Sequence, residues 1–493
     1  MSTCVEEPDL WELNPSHIFI LSSSGKPIFS KHGDEQELVT SFGLLQAIYS
    51  IIQDAGDTIK SITAGNRKIV YFVRESLFFV SMSSTREPEA VMYKQLEFAY
   101  SQILLILTSK VHSVLQNNAS KDLRDLLGPD TTRLMKATCT SNVTPENIAF
   151  DAIKSLPMGA DLRNEIIAYM KLCVEDSNAA AALLLFDDSL LVYMTNESSG
   201  LVLTASDIIL LSSFVSHSTS LKSNDQSWVP ICLPAFNANA YLQAYIANFP
   251  LTVMGSKMLS LVLISASTDA DMFRNLHTSR TKLQERLSSE ELSTKIKHSI
   301  LDENIVLNRY LKSFLALHFF FKCNPAPTVS VPAQYLSSSF SSAALEEDKD
   351  RIWTQYYVHG IRMRCGAATP ESCLFGTSVL EHNLVDSLSS SEKAKSRQGS
   401  FLASSLQETV IHTVMERGMD GKNIMTLSPS SNHSLVYTCS LNEIIVGLAS
   451  ADSELHVCFP SVMGPLDACN LANNLFFSLK SDINMLLQTS TAI

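Results

Sequence analysis

The chain has 493 residues, of which 45% are hydrophobic and 18% are charged, a composition typical of a folded chain with more than one domain. Its formal net charge of -13 argues against a broad nucleic-acid-binding surface, because neutralising phosphates requires a basic footprint. The sequence starts without the basic and apolar regions of a signal peptide, and no run reaches the ~18–20 apolar residues of a membrane span, so we expect a cytoplasmic protein.

The first part of the chain alternates short strand-like runs with two helical runs. The predicted strands are residues 17–24, 28–32, 58–65, 68–75 and 77–84, and the predicted helices are residues 38–53 and 88 to about 116. The first two strands form a hairpin around Gly25 and Pro27. The order β-β-α-β-β-β-α predicts an antiparallel five-stranded sheet with a helix inserted after the first hairpin, which is the order of the longin and roadblock folds.

The same order of elements returns about 165 residues later. The predicted strands are residues 181–189, 190–196, 228–234, 241–249 and 260–267, and the predicted helices begin at residues 207 and 269.

A third set of predicted elements is irregular. Residues 308–322 are ambiguous between helix and strand, residues 349–363 form a helix or a strand pair, strands follow at 434–440, 443–450 and 454–460, and a helix spans about 465–487.

The predicted fold class is therefore α+β, with three longin-like domains of which the third is irregular. We place the first domain at residues 17–128, a helical linker at 129–178, the second domain at 179–300 and the third domain at 301–493, with a Ser-rich loop at 376–409.

The first predicted helix, LVTSFGLLQAIYSIIQ (38–53), has no charged residue and is apolar on two sides. The face expected to cover the sheet comprises Leu38, Phe42, Leu45, Tyr49 and Ile52. The second face comprises Leu44, Ala47, Ile48 and Ile51. Gly43 lets another backbone approach this helix closely. The second face predicts either a partner surface or burial by another domain of the same chain.

Motifs for covalent chemistry are absent from the sequence. It contains no GxSxG, HExxH, Walker P-loop, GxGxxG or paired CxxC, and GMDGK (418–422) has the wrong spacing for a P-loop. The ten cysteines are expected to be free thiols. We therefore expect no catalytic residue, no metal ion and no cofactor.

A family resemblance lies in six runs of the first two domains. They are HIFILSSSGKPIFSKHGDE (17–35), SIIQDAGDTIKSITAGNRKIVYFVRES (50–76), QILLILTSK (102–110), KDLRDLLG (121–128), WVPICLPAFNANAYLQAYIANF (228–249) and STDADMFRNLHTSRTKLQERL (267–287). Through them residues 17–290 resemble the SAND family of vacuolar fusion proteins. The C-terminal third resembles the family weakly, the Ser-rich insertion departs from its pattern, and the family's long acidic N-terminal extension is nearly absent.

The resemblance implies a subunit with three longin domains that pairs with a second such protein, of the Ccz-one type. It implies that the heterodimer is a guanine-nucleotide exchange factor for the late-endosomal Rab (Rab-seven), without covalent chemistry. Recruitment by phosphoinositide and by the early-endosomal Rab is implied as well. The protein would be cytoplasmic and peripheral on endosome and vacuole or lysosome membranes, where it acts in endosome maturation and fusion.

Two other functional interpretations of the sequence remain open. A non-catalytic longin adaptor or tether predicts the same two-sided helix. The related pair of three-longin proteins of lysosome-related organelles shares the architecture, and the run WVPICLPAFN argues against it.

Two sets of site residues follow from the sequence and the resemblance. The partner or GTPase interface is predicted at Leu44, Ala47, Ile48 and Ile51, together with the hairpin end at Ser30, Lys31, His32 and Glu35. Membrane contact is predicted at Arg280, Lys282, Arg286, Lys295 and Lys297, because an anionic surface attracts local basic residues. The alternative for the second set is a solvated charged helix face, since acidic residues interleave with the basic ones.

Overall fold

The structure is a computed structural model. It describes residues 14–33, 39–118, 121–249, 258–324, 331–342, 345, 347–365, 411–417, 423–429, 434–440 and 442–489. The predicted Ser-rich loop at 376–409 and Glu35 lie outside the described residues. The fold is built on three β-sheets, each combined with helices, and it confirms the predicted α+β class.

The first sheet has five strands and a helix on each face. Its elements are β1 (Ser16–Ser22), β2 (Pro27–Ser30), α1 (Val39–Asp54), β3 (Ser61–Ala64), β4 (Arg67–Arg74), β5 (Leu77–Ser83) and α2 (Glu89–Leu107). The strand order is β2-β1-β5-β4-β3, antiparallel throughout. Because side chains alternate between the faces of a strand, Phe19 and Leu21 pack with Leu45 of α1, whereas Ile18 and Ile20 pack with α2.

The single long helix predicted from residue 88 to about 116 is wrong. Helix α2 ends at Leu107, α3 (Lys110–Asn117) follows, and the two axes bend by 83°. Thr108, between them, is buried and has a positive φ of 57°. The next residue, Ser109, donates its backbone N–H to Ala238 of the second domain over 2.9 Å. A tertiary hydrogen bond thus replaces a helical one, which apolar spacing within the segment does not reveal.

A helical segment connects the first and second sheets. Its elements are α3, α4 (Leu123–Thr138), α5 (Glu146–Phe150), β6 (Ile153–Lys154) and α6 (Ala160–Ser177). Helix α4 is interrupted at Gly128, whose φ of 70° is non-helical, just before Pro129. Strand β6 has only two residues, and it adds to the edge of the third sheet.

The second sheet repeats the order of the first. Its elements are β7 (Ala181–Phe186), β8 (Ser189–Thr195), a short 3-10 turn (Glu197–Ser199), α7 (Ala205–His217), α8 (Thr219–Ser223), β9 (Gln226–Ile231), α9 (Pro234–Asn237), β10 (Leu242–Phe249), β11 (Leu259–Ser265) and α10 (Ala270–Leu287). The strand order β8-β7-β11-β10-β9 matches that of the first sheet, strand for strand. Helix α11 (Glu290–Ser313) follows and runs across the boundary predicted at residue 300.

The third sheet contains the same five-strand arrangement with additions at both edges. Its elements are β12 (His318–Cys323), β13 (Gln334–Ser337), α12 (Lys349–Cys365), β14 (Ile411–Arg417), β15 (Asn423–Pro429), β16 (Ser434–Cys439), β17 (Glu443–Ala449), β18 (Ser453–Pro460), α13 (Pro465–Ser481) and α14 (Ile483–Leu486). The strand order is β14-β15-β16-β17-β18-β12-β13-β6. The ambiguous run 308–322 divides between α11 and β12, and residues 349–363 are helical.

A buried carboxylate joins the first and third domains. Thr144 donates its backbone N–H to Oε1 of Glu87 over 2.7 Å, and the hydroxyl of Tyr357 donates to the carbonyl oxygen of Thr144. Glu87 is 2% exposed. Burial raises the pKa of its carboxyl to about 7, although the Thr144 hydrogen bonds and the charge of Lys31 oppose the shift.

We expect the raised pKa of Glu87 to make stability depend on pH. The folded state binds more protons than the unfolded state between the ordinary Glu pKa of ~4.3 and about 7, so stability falls as pH rises through that window. Replacement Glu87→Gln removes this titration. The free energy of unfolding of the variant relative to the wild type, measured in urea, should therefore rise by roughly 3 kcal/mol between pH 4 and pH 8. Parallel pH profiles would contradict the assignment.

The C-terminal residues clasp the second and third domains together. The side-chain amide of Gln488 donates to the carbonyl oxygen of Tyr193 in β8 and accepts from its N–H, each over 2.8 Å. The Gln488 backbone exchanges two further hydrogen bonds with the side chain of Gln334, at 2.7 and 3.1 Å. Arg163 of α6, which is buried, donates to the carbonyl oxygen of Asn484 over 3.1 Å.

Replacement Gln488→Ala should destabilise the protein by about 2–4 kcal/mol, because it leaves the buried N–H and C=O of Tyr193 unpaired. The measurement is the free energy of unfolding in urea. Thr489→Ala is the matched control, since the Thr489 hydroxyl bonds only Asn484 at the exposed edge of the same segment. Equal effects of the two substitutions would rule out the clasp.

Candidate protein interface

Helix α1 is held on the first sheet by the packing of one apolar face and by a hydrogen bond from one side-chain amide. Leu45 is 5% exposed, and the ring of Tyr49 meets that of Phe78 edge-on, with centroids 5.1 Å apart. The amide nitrogen of Gln46 donates to the carbonyl oxygen of Ser23 in the β1–β2 turn over 2.8 Å. Gln46 belongs to neither of the two apolar faces predicted for this helix, and the sequence gives no signal for its anchoring role.

The second face of α1 is open. Leu44 is 58% exposed and Ile51 is 68% exposed, Ala47 is exposed, and Ile48 is half-buried. The described part of the chain therefore leaves most of this face uncovered. A Cβ added at the exposed Gly43 would meet nothing within 4 Å. Of the two readings that the sequence leaves open, burial by another domain of the chain is not found among the described residues.

The equivalent helices of the other two domains are covered on both sides. Helix α7 occupies the same place in the second domain, and its Ile208, Leu211 and Phe214 are buried in a cluster that includes Phe98 of α2 and Leu134 of α4. The second domain thus also places an apolar helix after its first hairpin. Helices α2 and α4 cover the outer side of that helix, α7.

Helix α12 of the third domain is covered in the same way. Ile352 and Tyr356 lie in one cluster with Val91 of α2 and Phe150 of α5. The first domain and its following segment thus supply the outer cover for both α7 and α12. Helix α1 receives no such cover within the described residues.

The predicted hairpin end is less accessible than the sequence implies. Ser30 is 2% exposed, and its hydroxyl donates to the carbonyl oxygen of His32. The ammonium of Lys31 donates to the carbonyl oxygen of Ser141 over 2.8 Å. Ser30 therefore offers no accessible side chain for a partner, because it lies in the strand beneath the surface. Lys31 and His32 are half-buried.

The same end of the sheet holds two histidines in close contact. The rings of His17 and His32 lie edge to face, with centroids 5.1 Å apart. Burial, together with the charges of the neighbouring His32 and Lys31, lowers the pKa of His17 to about 4. Burial also lowers the pKa of Lys31. The His17 ring is therefore neutral at neutral pH, because burial disfavours its charged form.

Most of the basic residues predicted to meet a membrane are engaged with neighbours. The ion pairs are Lys282 with Asp176 and Lys295 with Glu291, at 2.7 and 2.6 Å, and the cation–π contacts are Arg280 over Phe249 and Arg286 over Tyr169. Lys297 forms no ion pair within the described residues. The α10 residues therefore fit the solvated charged face better than a free basic patch.

The described residues contain no group of three or more His, Cys, Asp or Glu side chains that could hold a metal ion. No single helix in the same ranges is long and apolar enough to cross a membrane.

The two faces of α1 should differ in their effect on stability. Leu45→Ala removes a buried side chain and should lower the free energy of unfolding by about 2–4 kcal/mol. Leu44→Ala, one residue away, should change it by no more than about 0.5 kcal/mol, because Leu44 is 58% exposed. Urea denaturation of the two variants measures the difference. A similar loss in both would mean that the chain covers the second face itself.

Comparison with known proteins identifies two of the three domains. Residues 16–136 match the family model described as the first longin domain of FUZ, MON1 and HPS1, and residues 179–285 match the second longin domain of the same proteins. A vacuolar fusion protein MON1 homolog from Oryza sativa subsp. japonica is 32% identical over 290 residues, which cover 59% of this chain and 49% of the relative.

Two further relatives are similarly close. The Arabidopsis thaliana MON1 homolog is 29% identical over 363 residues, covering 68% of this chain and 57% of the relative. Protein SAND from Takifugu rubripes is 26% identical over 293 residues, covering 59% and 54%. The alignments thus span about half the length of these relatives. Residues 16–136 and 179–285 are therefore similar to the first and second longin domains of the FUZ, MON1 and HPS1 proteins, and the curated relatives that the chain resembles are MON1 and SAND proteins.

Proposed function

We propose that this chain is one subunit of a heterodimeric guanine-nucleotide exchange factor that activates the late-endosomal Rab (Rab-seven). The names of the relatives, vacuolar fusion protein MON1 and SAND, support a role in vesicle trafficking and fusion with the vacuole. The names do not mention exchange activity or a Rab. Both of these elements of the proposal rest on the resemblance to the SAND family.

The observation that carries the proposal is the open face of α1. Leu44 and Ile51 expose apolar surface, whereas the equivalent helices α7 and α12 are covered by other parts of the chain. Exposed apolar groups that form a continuous face are typical of binding surfaces. We assign this face to a second longin subunit of the Ccz-one type, or to the Rab held between the two subunits.

Exchange requires no covalent step. A protein that binds the nucleotide-free GTPase better than the loaded form weakens nucleotide affinity by thermodynamic linkage. The face made by Leu44, Ala47, Ile48 and Ile51 supplies apolar contact, and Lys31 and His32 at the hairpin end belong to the second part of the proposed interface. The subunit would act as a regulator rather than as an enzyme with catalytic residues.

The place of action follows from the same proposal. The subunit would be a cytoplasmic protein bound peripherally to endosome and vacuole or lysosome membranes. Phosphoinositide and the early-endosomal Rab are the proposed recruiting partners, and the heterodimer would act during endosome maturation.

Replacement Ile51→Asp should abolish exchange by the heterodimer. It places an unpaired charge in an apolar contact without disturbing the chain itself, because Ile51 is 68% exposed. The measurement is release of fluorescent GDP from purified late-endosomal Rab, with this chain alone and with its co-expressed partner. We expect acceleration only with the partner, and at least about a tenfold loss in the variant.

Gln53→Asp is the matched control for this experiment. It adds the same charge to the same helix at an exposed position about 160° away from Ile51 around the axis, and it should leave exchange intact. A well-folded heterodimer that binds the Rab without accelerating GDP release would refute the exchange function and leave a longin adaptor or tether.

A further inference from the structure

Helix α11 carries a second apolar stripe that the described chain leaves open. Its buried stripe includes Ile296 and Leu307. On another side, Leu301 is 44% exposed and Ile305 is 59% exposed. Their spacing of four residues places them on one face, and that face continues to the end of the helix through the polar residues Asn308 and Lys312.

The stripe continues beyond the helix onto two turns of the third domain. Leu315, in the α11–β12 turn, is 63% exposed, and Val462, in the β18–α13 turn, is 93% exposed. Both line a groove of about 710 Å³ that also contains Leu317, Phe340 and Met463. An exposure of 93% means that Val462 stands out from the surface.

The backbone conformation of Leu315 is unfavourable. Its φ of 55° lies in the left-handed region, where a side chain with a Cβ is disfavoured by about 1–2 kcal/mol and glycine or asparagine fits better. A large apolar side chain in that conformation, two-thirds exposed, combines two unfavourable features. Local strain of this kind is characteristic of functional surfaces.

The charges around the stripe are mostly positive. Lys297 and Lys312 lie at its two ends and Arg309 lies beside it, and none of the three forms an ion pair within the described residues. The acidic residues of the same stretch are Asp302, which is exposed, and Glu303, which pairs with Lys154 over 3.0 Å. This local excess of positive charge occurs in a chain whose net charge is -13. Basic residues beside an apolar face are the pattern of helices that lie in the interface of an anionic membrane.

We propose that α11 and the two adjoining turns form a membrane-insertion face that takes an anionic lipid surface. Leu301, Ile305, Leu315 and Val462 enter the boundary between headgroups and acyl chains, and the three basic residues contact lipid phosphates. The face rests on the proposed peripheral action at membranes, and it does not rest on exchange activity. The lipid surface is preferred to a partner helix because Val462 protrudes and the flanking charge is basic.

The test uses the full-length chain and sedimentation with vesicles of phosphatidylcholine, or of phosphatidylcholine mixed with phosphatidylserine. We expect binding to the mixed vesicles. Ile305→Ser and Leu315→Gly should each weaken the partition coefficient about tenfold, which corresponds to the loss of one buried aliphatic side chain. Leu315→Gly suits its φ, so its thermal midpoint should not fall. Lys312→Glu should weaken binding about fivefold or more.

Leu172→Ser is the matched control, because Leu172 of α6 is 47% exposed and lies outside the stripe. Insertion itself is followed with Val462→Trp, whose fluorescence should shift to the blue on mixed vesicles, whereas Leu172→Trp should not respond. Vesicle binding unchanged in an Ile305→Ser, Leu315→Gly double variant would overturn the proposal. The proposal would also be overturned if the double variant lost binding to a protein partner but still bound the vesicles as the wild type does.

GDP release from the Rab is measured in parallel without vesicles. A heterodimer inactive in that assay would count against the exchange function, while the vesicle results would still decide the membrane face.

Discussion

The need to cover an apolar helix on both sides organises this protein. Each longin sheet receives a helix after its first hairpin, and in each domain that helix has an outer face as well as the face that packs on its sheet. The first domain and the segment that follows it supply the outer cover for α7 through Phe98 and Leu134, and for α12 through Val91 and Phe150. This arrangement fixes the second and third domains against the first. It also leaves α1 as the one member of the three whose outer face no described segment covers.

The segment predicted as a linker does more than connect two domains. The ammonium of Lys94 in α2 donates to the carbonyl oxygen of Ala149 over 3.1 Å, and that of Lys322 in β12 donates to Phe150 over 2.6 Å. Cations at a helix C-terminus are stabilised by its exposed carbonyl groups. Helix α5 is therefore held by lysines from two domains at once, while β6 extends the third sheet. This short piece of chain therefore joins the first and third domains.

The sequence predicted most strands and helices because their apolar residues repeat with a period of 2 or 3.6. It could not predict β6 or α5, which are too short to have a period. It missed the bend at Thr108, because a hydrogen bond from the second domain stabilises that bend. It identified the open face of α1 but could not choose between a partner and another domain as its cover. Pairing of Lys282 with Asp176, 106 positions away, and the exposure of Leu315 likewise depend on the tertiary structure.

The clasp made by Gln488 has a consequence for how the protein is made. Tyr193 and Gln334, which Gln488 joins, are separated from it in sequence by 295 and 154 positions. The strands of the first two sheets end at Ser265, far before the clasp residues. These two sheets can therefore fold during translation, but the joint between the second and third domains can close only when the last of the clasp residues has left the ribosome. Until then Tyr193 at the edge of β8 has a free N–H and C=O, so a nascent chain stalled near residue 480 presents a sheet edge that chaperones would need to shield.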